Sequence, residues 1–301
     1  MEELKAHENS ASEGPAIPVM HPTEASATQL VIPAKSCPTC NAPRLTALPV
    51  PNPWVYVIGD VDPKYPSLAV EKEAIGGMAR LKADGLSNDA ALQKVMEAPE
   101  YAYLVREMCF VLLVHEVETY ILVPHYPQDY PMLVEAARSE LSVVIGTVGP
   151  IANPDVCNGL TLPFLSFDKI YNFNKQGLIS DLPVPEGADA AKFRSAASDI
   201  FNQIVQLINN GTGMERALAF LLVKDPGLYH AIWQSFSQNA QLVSVELKAA
   251  PVNSTQALVD VVVHTQDRKT GVKRGVYARL ALAGKLPYVV NYWQQYLGQC
   301  S

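Results

Sequence analysis

LVSVELKA (242–249), TQALVDVVVHT (255–265) and GVKRGVYARLALA (271–283) decide the fold class, because apolar and polar side chains there begin to alternate with a period of two. Such alternation turns one face of a strand toward a core and the other toward solvent. DRKTG (267–271) is a turn-forming segment between the second and third runs, so these strands are expected to lie antiparallel. PYVVNYWQQYL (287–297) closes the chain as a further strand or an aromatic-rich helix. Immediately upstream the period is that of a helix. Residues 188–208 carry Phe193, Ala197, Ile200, Phe201, Ile204, Val205 and Ile208 at helical spacing, and Met214–Val223 and Pro226–Phe236 continue as helices. The C-terminal half therefore reads as helices followed by an antiparallel β-meander.

Working toward the N-terminus, the mixture changes. PNPWVYVIGDV (51–61) reads as a short strand, and the next stretch to Gly85 as a helix capped by Ser67. A second capped helix is expected from Ser87 to Ala98. CFVLLVHEVETYILV (109–123) has two apolar runs about a polar pivot and reads as strand, turn, strand. A short helix from Met132 to Arg138, the β-branched run LSVVIGTVGPI (141–151) and a strand in GLTLPFLSFDKIYNF (159–173) follow, then a helix in NKQGLISDL (174–182). The expected class is α+β, with a mixed α/β first half. Residues 1–36 are polar, small and proline-containing and read as a tail or linker. Residues 37–183 form the first half and 184–301 the second, the two packed as one globular unit.

The chain has 301 residues, 49% of them hydrophobic and 18% charged, which suits a folded protein with a sizeable core. Its formal charge is -7, from 23 basic and 30 acidic side chains, without a basic cluster, so nucleic acid is not an expected partner. No apolar run reaches the roughly 18 residues that cross a bilayer, so a membrane is not expected either, and the protein reads as cytoplasmic. Five cysteines at irregular spacing suit thiols or a metal site better than a disulfide framework.

Cys37 and Cys40 form a CxxC in a proline-rich loop, a spacing that lets two thiolates meet one soft cation. One CxxC is half of a zinc site, and Cys109 and Cys157 are the other internal cysteines. Cys109 lies in an apolar run and reads equally as a small buried hydrophobe. The six histidines show no metal spacing and HExxH is absent. GTGM (211–214) resembles the serine-bearing helix start of subtilisin-like proteases, but Gly213 stands where the nucleophile is needed. No Walker loop and no GxGxxG occurs. Asp60, His115, His125 and Asn158 are candidate binding residues, each also explicable as an ordinary turn or strand-edge group. Glu73 reads as a helix surface charge.

Five blocks together carry a family resemblance: CPTC (37–40), WVYVIGDVDPKYPSLAVEKE (54–73), MCFVLLVHEVETYILVP (108–124), VVIGTVGPIANPDVCNGLTLPFLSFDKIYNF (143–173) and ERALAFLLVKDPGLY (215–229). They resemble the C-terminal domain of unknown function of the cyanobactin maturation proteins PatA and PatG, over about residues 37–295. The resemblance implies a role in maturing ribosomally made, post-translationally modified peptides and supplies no reaction. Its cysteine-containing blocks supply Cys37, Cys40, Cys109 and Cys157, so it implies that these four hold a structural Zn2+. The expected function is a non-catalytic, zinc-stabilised accessory domain whose partners are the precursor peptide or the maturation enzymes. A homodimer is a further expectation. The alternative is a peptide-modifying hydrolase or transferase built around His115, His125, Asp60 or Glu73.

Overall fold

Val55, Val57 and Val61 point to one side of the first strand and Tyr56 and Ile58 to the other, and all five are buried. A strand with two apolar faces must lie between two cores. The computed structural model describes residues 53–81, 85–250 and 257–297, all within a unit that begins at Val50. Cys37 and Cys40 lie outside the described residues.

The first strand is β1 (Trp54–Lys64). It is followed by helices α1 (Leu68–Arg80), α2 (Asn88–Glu97) and α3 (Ala102–Glu107), and by the hairpin of β2 (Cys109–Val114) and β3 (Val117–Pro124). Next come α4 (Tyr130–Ala136), β4 (Leu141–Ile151) and β5 (Pro163–Phe173). The five strands close into a barrel in the order β1-β2-β3-β5-β4. Closure depends on β1 dividing its length: Trp54–Gly59 pairs antiparallel with β4, and Asp60–Lys64 pairs antiparallel with β2. β3 and β5 run parallel. This strand order is the Greek-key order of oligonucleotide- and oligosaccharide-binding barrels, a likeness of architecture that fixes no ligand. The β2–β3 hairpin turns at His115 and Glu116, with φ of 52° and 63°, the left-handed pair that a two-residue turn between twisted strands demands.

Val57, Phe110, Leu112, Leu122, Leu165 and Phe167 belong to the first core, together with Leu104 of α3 and Leu133 of α4. On the other face of β1 and β4, Tyr56, Ile58, Val143 and Ile145 pack into a second core. That core is completed by α5 (Lys175–Ser180), α6 (Ala190–Val205), α7 (Glu215–Lys224) and α8 (Pro226–Ser237), and by strands β6 (Ala240–Ala249), β7 (Leu258–Asp267), β8 (Lys273–Ala281) and β9 (Tyr288–Gln295). The strands form an antiparallel sheet in the order β6-β7-β8-β9. Helices followed by a four-stranded meander is the expected α+β arrangement. The boundary read near residue 183 falls between α5 and α6, and side chains from both sides of it share the second core.

Local chemistry accounts for the helix starts. The side chain of Ser67 accepts from the Val70 N–H at 3.4 Å, Ser87 from Ala90 at 3.3 Å, and Asp189 from Lys192 at 2.9 Å. Asp225 accepts from Gly227 at 2.9 Å, with Pro226 at the first helical position of α8. PYVVNYW, ambiguous as sequence, is a strand because Val289 and Trp293 pack against the second core while β8 supplies a hydrogen-bonding edge.

The fully buried Arg216 ties the first turn of α7 to the β8–β9 connection. Its Nη2 donates to the carbonyls of Gly284, at 2.7 Å, and Lys285, at 2.9 Å. Nε and Nη1 have no acceptor, and desolvation pushes the guanidinium pKa down to about 10.

Candidate functional site

The expected cysteine cluster directs attention to one end of the barrel. Cys109 opens β2 opposite Lys64 of β1, and Cys157 lies in the loop from β4 to β5. That loop is wound tightly: Val156 N–H donates to the Asn153 carbonyl and Leu160 N–H to the Cys157 carbonyl, both at 3.0 Å. Asn158 and Gly159 follow in left-handed conformation, φ 47° and 91°. The winding turns Cys157 inward, where it is wholly buried beside Val111, Ile121 and Ala152. The structure pairs Cys109 with Cys157 as a disulfide with a Cα–Cα separation of 5.9 Å. This corrects the expectation of free thiols from the odd and irregular cysteine count.

Beside the pair opens a cleft of about 620 Å3 lined by Asp62, Lys64, Ser67, Glu71, Glu118 and Asn158, among others. Lys64 Nζ lies 2.8 Å from Asp62 Oδ2 and 3.0 Å from Glu118 Oε1. Hydrogen bonds to Asp62 and then Glu118 raise its pKa, outweighing desolvation. The lining carries Asp62, Glu71 and Glu118 against Lys64, so its charge favours a cation or an uncharged polar group. Of the residues expected to bind, Asn158 lies here, exposed on the rim.

None of the other candidates lines this cleft. His115 Nε2 is 2.8 Å from the Ile208 carbonyl, Tyr120 donates its hydroxyl to the Asn210 carbonyl at 3.0 Å, and Tyr56 N–H donates to the Gly211 carbonyl at 3.0 Å. Three barrel groups thus clamp the α6–α7 loop. The Glu215 carboxylate holds the same loop from the other side, accepting from the N–H groups of Asn209, Asn210 and Gly211 at 3.0–3.1 Å. His115 is therefore a fastening in the fold. His125 is exposed, its ring edge-on to Tyr126 at 4.7 Å. Glu73 accepts the Tyr103 hydroxyl at 2.5 Å. Asp60 is exposed on β1, with its pKa raised by desolvation and by the neighbouring Asp62 against the opposing Val61 N–H. Among the described residues no hydrogen bond or ion pair joins any two of His115, His125, Asp60 and Glu73.

Sequence reasoning missed Lys64 and Glu118, because an ion pair between strands that meet only when the barrel forms leaves no local pattern. Two sulfurs on adjoining segments are also the donor type that a tetrahedral zinc site takes in pairs, once reduced. Cys109 Sγ lies 3.4 Å from the Val156 carbonyl oxygen, a contact that a thiol can make into a hydrogen bond. Among the described residues no group of three or more His, Cys, Asp or Glu side chains is arranged to hold a metal ion. Paired as a disulfide, Cys109 and Cys157 offer no thiolate to a metal ion.

A closed Greek-key barrel sharing a core with a helix-backed antiparallel sheet defines the class as a two-core α+β protein. The chain belongs to the PatG domain family, whose signature matches residues 54–284. It is similar to a solved structure described as PatG Domain of Unknown Function, at 16% sequence identity and a TM-score of 0.63, covering 81% of this chain and 98% of that one. At that identity the likeness establishes the fold. No curated protein matches the chain. No helix among the described residues is long and apolar enough to cross a membrane.

Proposed function

We propose that this protein is an accessory domain that binds precursor peptide or maturation enzymes during the production of ribosomally made, cyanobactin-like peptides, without performing a reaction itself. Membership of the PatG domain family supports the setting. The observation that carries the non-catalytic reading is that no hydrogen bond or ion pair among the described residues links any two of His115, Asp60, His125 and Glu73, while His115 is committed to the α6–α7 loop and Glu73 to Tyr103. General acid–base work needs such groups to converge on one reacting atom. The test is incubation of the tagged chain with synthetic precursor peptides and with maturation enzymes, followed by capture and mass measurement. Capture of a peptide or enzyme with unchanged mass is the expected result. A peptide that leaves with altered mass would replace this reading by the hydrolase or transferase alternative.

We propose further that the reduced chain binds one zinc ion, with the Cys109 and Cys157 thiolates among its ligands. Elemental analysis of chain purified under reductant is expected to find one zinc per molecule, lost in Cys157→Ser. A fully reduced chain without zinc, whose melting is indifferent to a chelator, removes the metal from the account.

A further inference from the structure

A second concavity lies away from the cysteine pair, on the helices inserted between β1 and β4. The groove, of about 460 Å3, is lined by α2 and α3, by α4 and by the segment leading into it. Met96, Val105 and Val134 supply buried apolar surface, and Pro99, Pro131 and Tyr130 border it. A pocket of this size that sets charged side chains among apolar walls has the character of a small-ligand or peptide-segment site.

Its charges are arranged unequally. Arg138 Nη1 meets Glu97 Oε1 at 3.0 Å, so these two neutralise each other. Arg106 of α3 and Glu135 of α4 remain, opposite in sign and on different helices, and among the described residues neither the guanidinium nor the carboxylate has an ion pair or a hydrogen bond. Arg106 stands near Tyr130, whose hydroxyl donates to the Arg106 carbonyl at 3.4 Å, and its charge opposes the upward pKa shift that burial gives that phenol. An occupant complementary to this groove has an apolar body, an anionic group for Arg106 and a cationic group for Glu135. A short linear peptide with free ends has this constitution, whereas a head-to-tail ring of the same residues has lost both charges.

We propose that the groove bordered by α2, α3 and α4 binds linear apolar peptides through their terminal charges, with Arg106 taking the carboxylate and Glu135 the ammonium group. The proposal rests on the peptide-binding reading above and would make the domain discriminate linear from cyclised peptide. The test is calorimetric titration of the full chain with a tetrapeptide of leucine, proline and valine in four forms: free at both ends, N-acetylated, C-amidated and cyclised. Each capped end is expected to weaken binding by up to about fivefold, the upper range for an exposed ion pair, and the ring to bind weakest. Arg106→Gln is expected to abolish the preference for acid over amide, and Glu135→Gln that for amine over acetyl. Both positions are exposed, and circular dichroism checks that the variants fold. Equal binding of the four forms, preferences that survive both substitutions, or no binding to the unmodified chain would overturn the proposal. Capture of precursor by the Arg106→Gln/Glu135→Gln double variant separates the two levels. Undiminished capture beside a failed titration removes the groove alone, and absent capture by the unmodified chain removes the wider reading.

Discussion

Gly146→Ala is expected to destabilise the protein by more than about 3 kcal/mol, a large part of the margin of an ordinary domain. Gly146 sits on β4 where its register with β5 shifts, between Ile145 and Gly146. A Cβ at this position would overlap the Ser166 carbonyl oxygen and lie 2.7 Å from Phe167 Cα. Both atoms are backbone, so no rotamer change relieves the overlap. β5 is held on its other side by β3, and moving it disturbs the barrel closure that buries Leu165 and Phe167. Gly76 on α1 is the matched control, because a Cβ there meets nothing within 4 Å. Gly76→Ala is expected to raise stability by about 0.5–1 kcal/mol through helix propensity and lost unfolded-state freedom. Urea unfolding midpoints measure both. Equal shifts at the two sites would show that close strand approach does not limit this barrel.

The same position explains what could be read from the chain and what could not. The sheet of β6 to β9 was legible because polar side chains alternate with apolar ones along its strands, as Asp260 and His264 do with Val259, Val261 and Val263, although β7 is buried on both faces. The helix starts were legible because Ser67 and Ser87 act on residues three positions away. Barrel closure was hidden. It depends on β1 exchanging one partner for another near Gly59, and on strands buried from both sides whose apolar runs carry no period. The resemblance to PatA and PatG supplied the family but not that geometry. For the candidate site, composition pointed to Cys109 and Cys157 as important residues. Their direct pairing across a separation of 48 residues is a property of the closed barrel. His115 shows the converse error: its partner is the Ile208 carbonyl, and a backbone acceptor leaves no trace in a side-chain pattern.

Raising the pH above about 10 is expected to unfold the protein steeply, because buried phenols cannot ionise where they stand. Burial holds Tyr56 and Tyr229 far above the ordinary tyrosine range, and pushes Tyr120 up to about 12. In the unfolded chain these groups lose their protons near pH 10. Above that pH the unfolded state therefore binds fewer protons than the folded one. The stabilisation is fully present below pH 10 and is lost as pH rises toward the folded-state values. Each such group contributes a slope of about 1.4 kcal/mol per pH unit, so Tyr56 and Tyr229 together give about 2.7. Tyr120 adds a third until about 12. Arg216, depressed to about 10, acts in the opposite sense: its unfolded form keeps a proton that the folded form has released, which offsets Tyr120. Two pH units above 10 thus remove roughly 5 kcal/mol, comparable to the whole stability of many domains. Tyr56→Phe isolates the effect, because the Tyr56 hydroxyl is buried without a hydrogen-bond partner and its removal breaks no bond. Denaturant titrations between pH 9 and 12 are expected to show this variant losing stability about half as steeply, and starting about 1 kcal/mol more stable at pH 7. An unchanged slope would mean that the Tyr56 phenol ionises within the fold and that the second core admits water at the barrel wall.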